Sequence, residues 1–142
     1  METTENVNSD LPIASDRPLV MLAEDDPDQS EMLAEILSAE GFDVDTAYSG
    51  DTAWHKLSRN AYALVILDIQ MPGMSGTEVL RRLRAAETTQ HVPVIVVSAF
   101  ATDHQLQKYR ADGADECISK PYEINTLLTT IKRMAEERKH SN

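Results

Sequence analysis

The segment Ala63-Leu-Val-Ile-Leu-Asp68-Ile-Gln-Met-Pro-Gly73 decides how the rest of the chain is read. Five apolar residues, Ala63 to Leu67, run straight into an acid, Asp68, and then into a Pro-Gly break. An apolar run this short, closed by turn residues, suits a strand buried on both faces, as in a parallel sheet. Open α/β sheets carry their chemistry just beyond the carboxyl ends of such strands. Asp68 is then either a functional group at the rim of the sheet or a turn-forming acid, since Asp also favours turns. The segment by itself leaves both readings open.

Outward from it, a strand–helix rhythm repeats five times. Leu19 to Ala23 is an apolar run followed at once by Glu24-Asp25-Asp26-Pro27-Asp28. Asp26 can cap a helix with Pro27 at its first position, and Met32, Leu33, Ile36 and Leu37 recur at helical spacing until Gly41. Phe42 to Ala47 alternates as a shorter strand, and Ser49 can cap a helix with Ala53, Trp54 and Leu57 as its inner stripe. After the central segment comes a helix from Gly76 to Ala86, with Val79, Leu80 and Leu83 inward. Pro93 to Ser98 is a second fully apolar strand. A polar helix over Asp103–Ala111 ends at Gly113, and Asp115 to Ser119 forms a last short strand closed by Lys120-Pro121. Ile124, Leu127, Leu128 and Ile131 mark a final helix. This alternation predicts an α/β, doubly wound parallel sheet of five strands with helices on both faces. One domain over 18–138 is expected, between a flexible acidic tail (1–17) and a short C-terminal tail (139–142).

With 142 residues the chain can bury a core without disulfides or metal staples. Its net charge of -11 argues against nucleic acid or an anionic membrane as a direct partner, because phosphate contacts need Lys and Arg. A single cysteine, Cys117, rules out an internal disulfide and fits a reducing compartment. The N-terminus lacks the basic and apolar regions of a signal peptide, and no apolar run reaches membrane-spanning length, so a cytoplasmic location is expected.

Chemistry collects at the strand ends: Glu24-Asp25 after the first, Asp68 after the third, Ser98 after the fourth and Lys120 after the fifth. In a parallel sheet these ends share one edge, so the side chains can converge. Clustered carboxylates repel unless a cation sits among them. Hard oxygen donors without a Cys or His pattern point to Mg²⁺. Lys120 and Ser98 would suit the oxygens of a phosphoryl group, and Asp68 becomes a candidate nucleophile forming an aspartyl phosphate.

Over Leu19 to Met134 the sequence resembles the receiver domain of two-component response regulators. The resemblance is carried by Glu24-Asp25, by Leu67-Asp68-Ile-Gln-Met-Pro-Gly-Met-Ser-Gly76, by Val97-Ser98-Ala99 and by Lys120-Pro121-Tyr122. Asp25 to Asp68 is 43 residues, Asp68 to Ser98 is 30 and Ser98 to Lys120 is 22, spacings that fit the family. The resemblance implies a flavodoxin-like (βα)5 fold with strand order 2-1-3-4-5. It also implies that Asp68 accepts a phosphoryl group from a histidine kinase or histidine phosphotransfer protein. Asp25, Asp68 and the main-chain carbonyl of Gln70 would bind Mg²⁺ directly, Glu24 through water, and Ser98 and Lys120 would contact the phosphoryl oxygens. Lys120-Pro121 is often a cis peptide in such domains. Signalling would then pass to an unidentified downstream protein, with the Asp103–Ala111 helix, the fifth strand and the last helix as the surface where receivers commonly meet partners. A plain exposed helix is the alternative reading of Asp103–Ala111.

The sequence departs from the family at Cys117, where an aromatic residue three positions before the lysine usually turns inward as the Ser/Thr moves. A thiol supplies no ring, so Cys117 reads as a small buried residue, and the usual two-position switch is in doubt. Gln70 and Phe100, each two residues beyond a site residue, are candidates for tuning the lifetime of the phosphate, with Phe100 shielding it from water. Asp26 reads as a cap and not a ligand, and Asp28 as a first-turn acid. His55, His91, His104 and His140 show no metal spacing and read as surface residues; Trp54 reads as core. Lys132, Arg133, Arg138 and Lys139 read as a solvated helix end.

Three functions compete: a phosphoaccepting receiver that is not a turnover enzyme, a phosphatase-like enzyme with an aspartyl intermediate, and a receiver-fold interaction module that works without phosphorylation. Haloacid-dehalogenase-like enzymes carry an acid two residues after the nucleophile. Gln70 stands there and cannot exchange protons in that way.

Overall fold

The computed structural model describes residues 16–99 and 102–140. Ten elements alternate: β1 (Leu19–Ala23), α1 (Pro27–Ala39), β2 (Asp43–Ala47), α2 (Gly50–Leu57), β3 (Leu64–Asp68), α3 (Gly76–Ala85), β4 (Val94–Ser98), α4 (Asp103–Ala111), β5 (Glu116–Ser119) and α5 (Ile124–His140). The strands form one parallel sheet of order β2-β1-β3-β4-β5. This is the doubly wound parallel sheet expected from the strand–helix rhythm, in the 2-1-3-4-5 flavodoxin-like order that the family resemblance implies.

Alternation along the strands makes two cores. Met21, Ala23, Val65, Leu67, Val94 and Val96 face one side, where Ala53, Leu57, Val79, Leu80, Leu83 and Tyr109 of α2, α3 and α4 cover them. Val20, Leu22, Leu64, Ile66, Ile95 and Val97 face the other, under Leu33 and Leu37 of α1 and Leu127, Ile131 and Met134 of α5. Every residue of β3 and β4 is buried, which accounts for their apolar sequence up to the closing Asp68 and Ser98. β2 is an edge strand and only its last residue is buried, hence its mixed composition.

The helix starts obey the sequence cues. The Asp26 carboxylate accepts from the backbone N–H groups of Asp28 and Gln29, with Pro27 at the first helical position. Ser49 accepts from the N–H of Thr52, Ser75 from that of Glu78, and Thr102 from that of Gln105.

Four expectations are corrected. Met32, expected in the inner stripe of α1, is 54% exposed, because the buried face runs through Ser30, Leu33 and Leu37. Trp54 lies at the margin of its core, half-buried beside Ala53 and Leu57. Arg17, expected in the flexible tail, is clamped to the domain. It pairs with Asp43 at 2.9 Å and donates to the carbonyls of Ser38 and Phe42 at 2.7 and 2.8 Å. At the other end α5 continues through Lys139 and His140, beyond the expected start of the C-terminal tail. The N-terminal residues 1–15 lie outside the described residues, as does Phe100.

Candidate functional site

The carboxyl ends of the strands hold the acids, the lysine and the serine together through backbone bonds that continue past the strands. The N–H of Glu24 donates to the Ala47 carbonyl at 3.0 Å, that of Ile69 to Val97 at 3.1 Å, and that of Lys120 to Ser98 at 2.9 Å. Each of these strand ends is therefore fixed to its neighbour before any side chain is considered. The turn after β3 is equally constrained. Gly73 adopts a φ of +74°, and a Cβ on Gly76 would lie 2.4 Å from the Asp68 carbonyl oxygen. These two glycines let α3 begin directly against the end of β3.

At the centre, Lys120 Nζ donates to Asp68 Oδ2 at 2.8 Å and to Glu24 Oε1 at 2.9 Å. The other oxygen of each acid is engaged as well: Asp68 Oδ1 accepts from the Gln70 N–H at 2.9 Å, and Glu24 Oε2 from the Asp26 N–H at 3.1 Å. Glu24 and Asp68 are buried, whereas Asp25 is exposed. Burial pushes the Glu24 carboxyl above its ordinary 4.5, opposed by its bonds to Lys120 and to the backbone of Asp26. Burial alone would depress the Lys120 ammonium, but the bonds to Asp68 and Glu24 outweigh it and raise its pKa. Lys120 thus stays charged at neutral pH and offsets the repulsion between two buried acids. The Lys120-Pro121 peptide is cis.

Glu24, Asp25 and Asp68 each offer a carboxylate oxygen, all within 4.8 Å of one another. An all-oxygen cluster with one solvent-facing member fits a hard divalent cation that keeps some of its waters.

Ser98 ends β4, one residue beyond Val97, the register partner of Asp68. Its hydroxyl is buried and lies 3.2 Å from the hydroxyl of Tyr109 on α4. From the sequence, Tyr109 is recognisable only as one of the few apolar residues of a polar helix. The available signal is an aromatic on α4 in a chain that lacks one at position 117.

Cys117 is half-buried, and burial pushes its thiol above the ordinary 9.0, so it is no reactive thiolate. Gln70 is exposed, and the described histidine side chains are exposed as expected, His55 on α2, His104 on α4 and His91 in the loop before β4. Lys132 pairs with Glu40, and Arg133 with Glu116 and Glu137, so this helix end is ion-paired as well as solvated. Among the described residues, no helix is long and apolar enough to cross a membrane.

The fold and site define a receiver. The family described as the response regulator receiver domain matches residues 20–132, and the chain belongs to it. The chain is 36% identical to the phosphate regulon transcriptional regulatory protein PhoB of Rhizobium meliloti, covering 86% of this chain and 54% of that protein. It is 32% identical to the sensor histidine kinase RcsC of Salmonella typhimurium, covering 87% of this chain and 13% of that one. A CheY-like response regulator receiver domain protein from Methanospirillum hungatei JF-1 superposes with a TM-score of 0.82 at 25% identity, over 89% of this chain and 99% of that one. The chain spans about half the length of the transcriptional regulators it matches. The expectation that nucleic acid is excluded finds no support among such relatives.

Proposed function

We propose that this chain is a phosphoacceptor in two-component signalling, with Asp68 as the residue that takes the phosphoryl group. One observation carries the reading: Lys120 binds Asp68 and Glu24 together at the carboxyl edge of the sheet. A charge held there meets the growing negative charge on the oxygens of an incoming phosphoryl group. In the step itself an Asp68 carboxylate oxygen bonds to phosphorus as the phosphorus–nitrogen bond of a phosphohistidine breaks. The imidazole, protonated on its other ring nitrogen, leaves as a neutral ring with the electron pair of that bond. Ser98 and Lys120 donate to the phosphoryl oxygens. Glu24, Asp25, Asp68 and the Gln70 carbonyl would hold Mg²⁺, which supplies charge neutralisation between carboxylate and phosphate.

A histidine kinase or histidine phosphotransfer protein is the donor, and a protein docking on α4, β5 and α5 takes up the signal. The exposed residues of α4 suit that surface, since Tyr109 is its buried member. The protein acts in the cytoplasm and works stoichiometrically, because Gln70 provides no proton shuttle for turnover. Cys117 favours a second reading, an interaction module that works without phosphorylation, since it removes the ring that usually reports the modification.

Incubation with Mg²⁺ and acetyl phosphate, then intact mass measurement, separates these readings. A gain of one phosphoryl group that requires Mg²⁺ and is lost in Asp68→Asn is expected. Continuous release of inorganic phosphate would indicate a turnover enzyme, and the absence of any gain would favour the interaction module.

A further inference from the structure

Three residues on one face of the sheet belong together. Val94 and Val96 of β4 face the core under α2, α3 and α4, and Ser98 continues the same alternation. Cys117 is the register partner of Val96 on β5 and packs against the same core. Into that core α4 sends Tyr109, 5% exposed, whose hydroxyl meets Ser98 Oγ at 3.2 Å. The ring that position 117 lacks is therefore supplied from a different element, on the same face and against the serine of the site.

We propose that Tyr109 is the positioning residue through which the state of Ser98 reaches α4, in place of an aromatic residue at position 117. The inference rests on the phosphoacceptor reading of Asp68. A serine hydroxyl has one hydrogen to give. Swinging Oγ toward a phosphoryl oxygen to give it that hydrogen opens the 3.2 Å contact with the Tyr109 hydroxyl, whichever of the two donates in it, and leaves a buried phenol without that partner, a state that costs free energy. Tyr109 is the buried anchor of an otherwise polar helix, so the loss falls on the seating of α4. Phosphorylation would thereby loosen or shift the exposed face of α4 without any movement of β5.

Amide hydrogen exchange over Asp103–Ala111 reads this coupling, with intact mass recorded on the same samples. In the unsubstituted protein, phosphorylation by acetyl phosphate and Mg²⁺ should speed exchange in α4 by about fivefold, the change in local opening expected for loss of one ordinary hydrogen bond. Tyr109→Phe keeps the ring and removes the hydroxyl. It should still gain the phosphoryl mass, but exchange about fivefold faster in α4 before phosphorylation and respond little to it. Ser98→Ala should show the same raised exchange from the other side of the bond, which provides a second approach if Tyr109→Phe is poorly folded. A Tyr109→Phe protein that gains mass and shows the unsubstituted α4 response would overturn the coupling and leave the phosphoacceptor reading intact. No mass gain in the unsubstituted protein would overturn both.

Discussion

Glycine at position 76 is imposed by the placement of Asp68. A methyl group there would lie 2.4 Å from the Asp68 carbonyl oxygen and 2.7 Å from Ile69 Cα, both backbone atoms that cannot swing aside. The Gly76 N–H also closes the turn by donating to the Ile69 carbonyl at 3.0 Å. Gly76→Ala is expected to cost about 1–3 kcal/mol, the usual range for overpacking, and to displace the end of β3. Urea unfolding measures the first effect and acetyl phosphate labelling the second; a variant matching the unsubstituted protein in both would show that the turn relaxes freely. At this scale Glu24, Asp25, Asp68, Ser98 and Lys120 were legible, because each closes or succeeds a strand and strand ends in a parallel sheet share an edge. Tyr109 was not. Helical spacing can mark a buried position, but it does not say which hydroxyl on another element the side chain will meet.

Edges of elements were less legible than their existence. The central strand is displaced by one residue, Leu64–Asp68 against Ala63–Leu67, because Asp68 itself pairs in register with Val97. Met32 is exposed and Trp54 packs only at the core's margin, because apolar spacing does not show where the sheet stops covering a helix. β2, the edge strand, is held by side chains that no periodicity reveals. Tyr62 donates to Asp45 Oδ2 at 2.7 Å, and Lys56 to Asp45 Oδ1 at 3.0 Å and to the Thr46 carbonyl at 2.7 Å. Burial, and then the Asp45 carboxylate, raise the Tyr62 phenol above its ordinary 10.0. The folded chain therefore keeps a proton that the unfolded chain loses above that pH. This contribution to stability is complete below pH 10 and declines as the pH rises further. Tyr62→Phe should be less stable than the unsubstituted protein by about 1 kcal/mol at pH 8. That difference should narrow above pH 10, as urea midpoints across the range would show. A difference that stays constant with pH would mean that Asp45 does not hold the phenol.

On the scale of the whole molecule, the two-sided sheet separates support from chemistry. Both apolar faces are covered by helices, and the acids, serine and lysine are left at one edge, where the side chains of Glu24, Asp68 and Lys120 meet and Ser98 closes the neighbouring strand. That separation made the parallel, two-sided sheet readable from alternation, with its strand order supplied by the family resemblance, and the candidate site readable from the polar residues that close each apolar run. The net charge of -11 was a weaker guide. It argues against direct contact of this chain with a nucleic-acid backbone more readily than against a function in transcription, and regulators of transcription are among the relatives. The proposed phosphoacceptor, Asp68, would carry an acyl phosphate. An acyl phosphate is reduced by borohydride to an alcohol, which converts a phosphorylated aspartate to homoserine. After treatment with acetyl phosphate and Mg²⁺ and borohydride reduction, peptide sequencing by mass should place homoserine at position 68 and at no other acid. Homoserine at Asp25 or Asp26, or at none of the acids in a protein that has gained phosphoryl mass, would show that Asp68 is not the phosphoacceptor.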